Sequence, residues 1–117
     1  MSRTIRFHQF GPAEVLKIEE FPAAQPAPGE VQVRVEAIGI SWYDVLWRQN
    51  LAPSQARLPA GLGQEMAGVV SALGEGVTDL AVGDKVASFP AATANQHPVY
   101  GELIRSEEHT SELQSQP

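Results

Sequence analysis

The sequence predicts a mainly β protein, a barrel or partly open barrel of short strands carrying one short helix. Three observations predict it. Glu30 to Ala37 alternates Val31, Val33, Val35 and Ala37 with Gln32, Arg34 and Glu36, the period of two expected of a half-buried strand. Ten glycines and nine prolines in 117 residues cut the rest into segments too short for ordinary helices. Only Trp42 to Gln49 follows a helix-start signal. Short strands separated by glycine turns close most readily into a barrel.

Taken in order, Thr4 to Phe10 alternates with Ile5 and Phe7 on one face and reads as the opening strand, broken by Gly11-Pro12. Val15 to Phe21 gives a second strand paired with the first, and Ala23 to Gly29 an extended, proline-bearing connector that ends in a turn. Beyond the Glu30–Ala37 strand, Gly39 ends the run. Ser41 can cap the helix over 42–49, and Asp44 in its first turn suits the helix dipole. Asn50 to Pro59 is a loop. Ala67 to Leu73 is a strand closed by Gly74-Glu75-Gly76, and Gly83-Asp84 turns the chain into a strand over Lys85 to Phe89. Pro90 to Pro98 is a loop, and Val99 to Ile104 a last short strand containing Gly101. No internal repeat is present.

Length allows one domain with a modest core. A hydrophobic fraction of 43% is that of a globular chain, and no apolar run reaches the roughly 18–20 residues of a membrane-spanning helix. Met1 to Phe7 has no apolar signal core, and the chain has no cysteine, which removes disulfides and thiolate metal sites. Both point to a cytoplasmic protein. A net charge of −6 without a lysine or arginine cluster argues against nucleic acid as a partner.

Leu58 to Val70 is the stretch that invites chemistry: Gly61, Gly63 and Gly68 bracket the polar pair Gln64–Glu65, and an apolar run follows. Glycine at that density lets another backbone or a ligand come close. Arg105 to Ser115 has the opposite character, polar throughout with neither helical nor strand periodicity. It resembles, residue for residue, the one-frame translation of a common sequencing-library adapter. Residues 105–117 are therefore expected to be a non-native, disordered tail, and the natural frame to continue past Ile104. Glu107, Glu108, His109 and Glu112 resemble metal ligands only superficially on that reading.

Five motifs in register carry a family resemblance. They are Pro28-Gly29-Glu30-Val31-x-Val33-Arg34-Val35-x-Ala37-x-Gly39-Ile40, Asp44, Leu58-Pro59-x-Gly61-x-Gly63-x-Glu65-x-Ala67-Gly68-Val69-Val70, Gly74-x-Gly76-Val77 and Val82-Gly83-Asp84-Lys85-Val86. Together they resemble the N-terminal, GroES-like catalytic domain of the medium-chain dehydrogenase/reductase superfamily. Ile5-x-Phe7-His8 and Gly11-Pro12-x-Glu14-Val15-Leu16 add a likeness to its zinc-independent quinone oxidoreductases. The resemblance implies an incomplete GroES-like, partly open β-barrel over 1–104, with the nucleotide-binding domain beyond it. It implies a parent that moves a hydride from NADPH to a quinone or conjugated carbonyl, as a homodimer assembled through that second domain.

Zinc-dependent relatives place cysteine in the slot of Ser41 and histidine in that of Gln64. A catalytic zinc needs about three protein ligands, chiefly thiolate or imidazole. With Asp44 and Glu65 alone remaining, no metal is expected. The resemblance implies that Ser41, Asp44 and Glu65 carry the catalytic region, with Ser41 and Asp44 facing the nicotinamide. Two roles stay open for each: a hydrogen-bond donor or only an N-cap for Ser41, a cofactor-orienting group or only a helix-start stabiliser for Asp44, a supporting carboxylate or a general acid for Glu65. Relatives carry a tyrosine at Leu46 and another at Ala52, so both hydroxyls are lost. The expected pocket is apolar, with Trp42, Tyr43, Trp47 and Gln64 as candidate liners, unless the aromatics are plain core. His8 and His97 have no partner at ligand spacing and read as structural or surface residues. Neither Gly61-x-Gly63, followed by Met66, nor Gly74-x-Gly76, followed by Asp79, completes the dinucleotide fingerprint. The piece alone is thus expected to be inactive. The rival readings are a self-contained GroES-like binding or scaffolding module and a relative of the zinc alcohol dehydrogenases.

Overall fold

The computed structural model of the chain describes residues 1–88, 98–107 and 113–115. The described residues form two sheets and one α-helix, with no closed barrel. Strands β1 (Ser2–Phe7) and β2 (Leu16–Phe21) make an antiparallel pair, with Ile5 opposite Ile18. A 3₁₀ turn over Ala13–Val15 joins them. The second sheet runs in the order β6-β3-β4-β5-β7, from β3 (Glu30–Gly39), β4 (Glu65–Leu73), β5 (Lys85–Ser88), β6 (Leu103–Glu107) and β7 (Leu113–Ser115). The helix α1 spans Trp42–Arg48 between β3 and β4.

The two sheets share one core. Phe7 of β1 is fully buried with Val31, Val33, Val70 and Val86 of the larger sheet, and Val15, Trp47, Leu62, Met66, Tyr100 and Ile104 complete the cluster. Burying such side chains is the main force holding strands this short together. Outside the ladders, β1 is stitched to two further segments. Phe7 and Ala60 exchange backbone hydrogen bonds at 2.9 Å, the Ile5 N–H donates to the Tyr100 carbonyl at 2.9 Å, and the Glu102 N–H donates to that of Arg3 at 3.0 Å.

The alternation expected along β3 holds only in part. Val31 and Val33 are buried and Val35 is half-buried, but Gln32 is buried too and Ala37 is exposed. Two bulges interrupt the β3–β4 ladder. Ser71 is an extra residue of β4 between the pairs Gln32↔Ala72 and Val33↔Val70, and Glu36 is an extra residue of β3 between Val35↔Gly68 and Ala37↔Ala67. A bulge breaks the two-residue period and re-aims the side chains beyond it. Gln32 tolerates burial because both ends of its amide are paired: Nε2 donates to the Ala24 carbonyl at 2.8 Å, and Oε1 accepts from the Ser71 hydroxyl at 2.6 Å.

Several boundaries differ from the sequence reading, three of them near the site. The first strand ends at Phe7, and β4 begins at Glu65, so that Glu65 lies on the strand and Gln64 alone forms the bend before it. The last strand starts at Leu103 rather than Val99, because the Val99 and Tyr100 N–H groups both turn to the Leu62 carbonyl and Gly101 bridges to Thr4. It then continues past Ile104, pairing Arg105, Ser106 and Glu107 with Gln32, Val31 and Glu30, while β7 lies along β5. Of the tail expected over 105–117, the described residues 105–107 and 113–115 pair with sheet edges. Such pairing needs no side-chain periodicity, since an edge strand presents unpaired N–H and C=O groups to any extended chain.

Candidate functional site

The β3–β4 ladder ends at the pair Gly39↔Glu65, so the chain leading to Ser41 and the chain arriving from Gly63–Gln64 meet at one end of the sheet. A Cβ on Gly39 would lie 2.3 Å from Glu65 Oε2, so the bare glycine is what lets this carboxylate lie across the end of β3. Glu65 is half-buried. It borders an open hollow of about 430 Å³ that Ile38, Gly39, Met66 and Ser88 also line. The Ser88 hydroxyl donates to the Gln64 carbonyl at 2.9 Å and accepts the Met66 N–H at 3.2 Å, tying the bend before β4 to β5.

Ser41 is the N-cap of α1, and Asp44 completes a capping-box arrangement in which its Oδ2 accepts the Ser41 N–H at 3.1 Å. The same oxygen accepts the Tyr100 hydroxyl at 2.9 Å. Asp44 is only 3% exposed, and its Oδ1 is buried with no hydrogen-bond partner among the described residues. Tyr100 is buried as well. Loss of solvent, the hydrogen bond to Asp44 and the charges of Asp44 and Glu65 together push its phenol well above the usual tyrosine range, so it remains a neutral donor. Its ring lies on Gly63, where a Cβ would meet Cδ1 at 2.4 Å and where φ is +101°.

The structure thus links Ser41 through Asp44 to Tyr100, a residue that also feels the charge of Glu65 and that sequence reasoning placed only inside a strand. The available signal was slight: a tyrosine on a core face must find a partner for its hydroxyl. The three aromatic candidates divide between core and solvent. Trp47 is core, with its indole N–H donating to the Gly61 carbonyl at 3.0 Å, and Tyr43 stacks on it with ring centroids 6.4 Å apart. Trp42 is 72% exposed. Gln64 is half-buried and held through its backbone carbonyl. His8 sits at the surface with Nε2 2.9 Å from Glu19 Oε1, and His97, His109 and Glu112 lie outside the described residues. Among the described residues no three His, Asp or Glu side chains gather as a metal centre would require, and no helix is long and apolar enough to cross a membrane.

Residues 27–109 match the alcohol dehydrogenase GroES-like domain family. A quinone oxidoreductase of Salmonella typhimurium is 50% identical over 86 residues, which cover 74% of this chain and 26% of that protein. The whole chain superposes on a quinone oxidoreductase of Pseudomonas syringae with a TM-score of 0.84 at 37% identity, covering 34% of that chain. It likewise superposes on the Escherichia coli quinone oxidoreductase solved in complex with NADPH, with a TM-score of 0.81 at 36% identity and 33% coverage of that chain. The chain spans about a quarter of the length of the curated quinone oxidoreductases it matches. On the family match, the shared sequence and the two-sheet architecture, the chain belongs to the alcohol dehydrogenase GroES-like domain family, with quinone oxidoreductases among its relatives.

Proposed function

We propose that this chain supplies the substrate-facing domain of an NADPH-dependent quinone oxidoreductase, one that reduces quinones or conjugated carbonyls without zinc. The observation that carries this reading is the fit of the whole chain to the quinone oxidoreductase solved with NADPH. The local geometry supports it. The end of the β3–β4 ladder offers a capped helix start, one enclosed carboxylate and one half-buried carboxylate bordering an open hollow.

The donor set does not fit zinc. Ser41 and Gln64 are poor ligands, and Asp44 Oδ2 is already taken by the Ser41 N–H and the Tyr100 hydroxyl. The nicotinamide end of a cofactor fits better, oriented by Ser41 and the Asp44-held start of α1, which follow Gly39 at the edge of the hollow. When bound, NADPH supplies the hydride. The chain's own part is to orient and to exclude water. Because the Tyr100 hydroxyl points at a carboxylate, it is not offered to a substrate oxygen, and the proton that completes reduction comes from solvent or a backbone donor. On this reading the parent is a cytoplasmic homodimer, residues 105–117 are foreign to its gene, and the 117-residue chain is inactive alone.

Two measurements test the proposal. NADPH titrated into the 117-residue chain gives no saturable signal in the low-micromolar range, and tight binding would overturn the claim that the nucleotide is held elsewhere. Reading the gene from clean genomic DNA should show a departure from Arg-Ser-Glu-Glu-His after Ile104, followed by a glycine-rich strand–turn–helix. A stop codon there would favour a self-contained module, and zinc in the purified full-length protein would favour an alcohol dehydrogenase of the metal type.

A further inference from the structure

We propose that Tyr100 is a positioning residue of this site: its hydroxyl, given to Asp44 Oδ2, fixes the carboxylate that holds Ser41 and the start of α1, two residues beyond Gly39 at the edge of the hollow. The proposal rests on the functional reading above and adds to it a residue outside the motifs that carry the family resemblance.

Tyr100 joins three parts of the fold. Its carbonyl accepts the Ile5 N–H of β1 at 2.9 Å, and its own N–H donates to the Leu62 carbonyl at 3.1 Å. Its ring fills the space left by Gly63, and its hydroxyl reaches Asp44, 56 residues away in sequence, at 2.9 Å. Asp44 in turn holds the Ser41 N–H at 3.1 Å. Both contacts of the carboxylate fall on one oxygen, since Oδ1 is enclosed without a partner among the described residues. Without the phenol O–H, a single backbone donor holds that carboxylate. The broad, two-fold torsion of an aspartate then lets it turn. Ser41, on the cofactor side, would turn with it. Because burial keeps the phenol neutral, the donor is present throughout the working pH range.

The test uses Tyr100→Phe, which keeps the ring on Gly63 and removes only the hydroxyl. In the 117-residue chain with ¹³C-labelled tyrosine and aspartate, Asp44→Asn should move the Tyr100 Cζ resonance, and Tyr100→Phe should move the Asp44 carboxyl and Ser41 amide signals. Resonances that stay in place overturn the proposal whatever the activity. In the parent enzyme, Tyr100→Phe should lower kcat for NADPH-dependent quinone reduction tenfold or more while KM for the quinone stays within twofold, as expected for misorientation rather than lost binding. A variant that loses thermal stability but keeps kcat makes Tyr100 merely structural and overturns the proposal. A wild-type parent without activity defeats the functional reading and this one with it. An active parent indifferent to Tyr100→Phe defeats this one alone.

Discussion

Gly63→Ala is the perturbation whose cost the structure specifies most fully. Gly63 has φ +101°, a conformation costly for any residue with a side chain, and an added Cβ would lie 2.4 and 2.6 Å from the Tyr100 ring and 2.7 Å from Val99 Cγ2. Left-handed backbone costs about 1–2 kcal/mol in an L-residue, and forcing an extra methyl into a packed core typically adds about 1–3 kcal/mol. Tyr100 cannot swing aside, being tied at its hydroxyl to Asp44 and at its backbone to β1 and Leu62. The expected loss is therefore about 2–5 kcal/mol. Gly76→Ala isolates the first cost, because Gly76 has φ +83° with nothing within 4 Å of the added carbon, and should lose only about 1–2 kcal/mol. Urea denaturation followed by fluorescence measures both. With an m-value on the order of 1–3 kcal/mol per molar, Gly63→Ala should lower the midpoint by roughly twice as much as Gly76→Ala. Equal midpoints would show that the Tyr100 ring does not lie against the glycine loop.

Asp44→Ala removes the acceptor of two hydrogen bonds, and the expected loss is about 2–4 kcal/mol, with Asp44→Asn in between because it keeps one accepting oxygen. A urea midpoint unchanged in both variants would place that carboxylate outside the core. Tyr100 gives stability a pH dependence whose sign follows from its raised folded-state pKa. The folded chain holds the phenolic proton more tightly, so this contribution is whole below the unfolded value near pH 10 and is lost as pH rises beyond it. Tyr100→Phe should flatten the alkaline limb of the stability profile, and an equally steep limb would contradict the buried hydrogen bond. The two tryptophans should separate cleanly. Trp42→Phe leaves the emission of buried Trp47, blue-shifted and resistant to iodide, whereas Trp47→Phe leaves a red, readily quenched signal from Trp42. Equal quenching in the two variants would refute the placement of α1.

The strands were legible because their signals are local. Valines at every second position of β3 and glycines at the turns need no knowledge of what lies across the sheet. The helix start was legible for the same reason, since Ser41 and Asp44 are three residues apart and satisfy each other's neighbourhood. What escaped depends on groups distant in sequence. Gln32 looks like a solvent-facing residue of an alternating strand until Ser71 and Ala24 supply partners for its amide. Gly39 looks like a strand terminator, yet its bare Cα makes room for a carboxylate 26 residues on. Tyr100 carries no motif at all, and nothing in Val99-Tyr100-Gly101 says that its hydroxyl crosses to α1. Trp42, Tyr43 and Trp47 look like one set in the sequence, but helical spacing turns Trp42 to solvent and Trp47, with Tyr43 stacked on it, to the core.

Asp44 and Glu65 look alike in the sequence, two carboxylates in the same candidate site, but burial gives them different work. Asp44 is enclosed: its Oδ2 is committed to the Ser41 N–H and the Tyr100 hydroxyl, and its Oδ1 is buried with no partner among the described residues, so what it visibly does is hold the start of α1 to Tyr100. Glu65 is half-exposed at the edge of the hollow, and its carboxylate meets open space there. Of the two acids, Glu65 is therefore the one that borders the hollow, and Asp44, with Tyr100 behind it, is the one built into the start of α1.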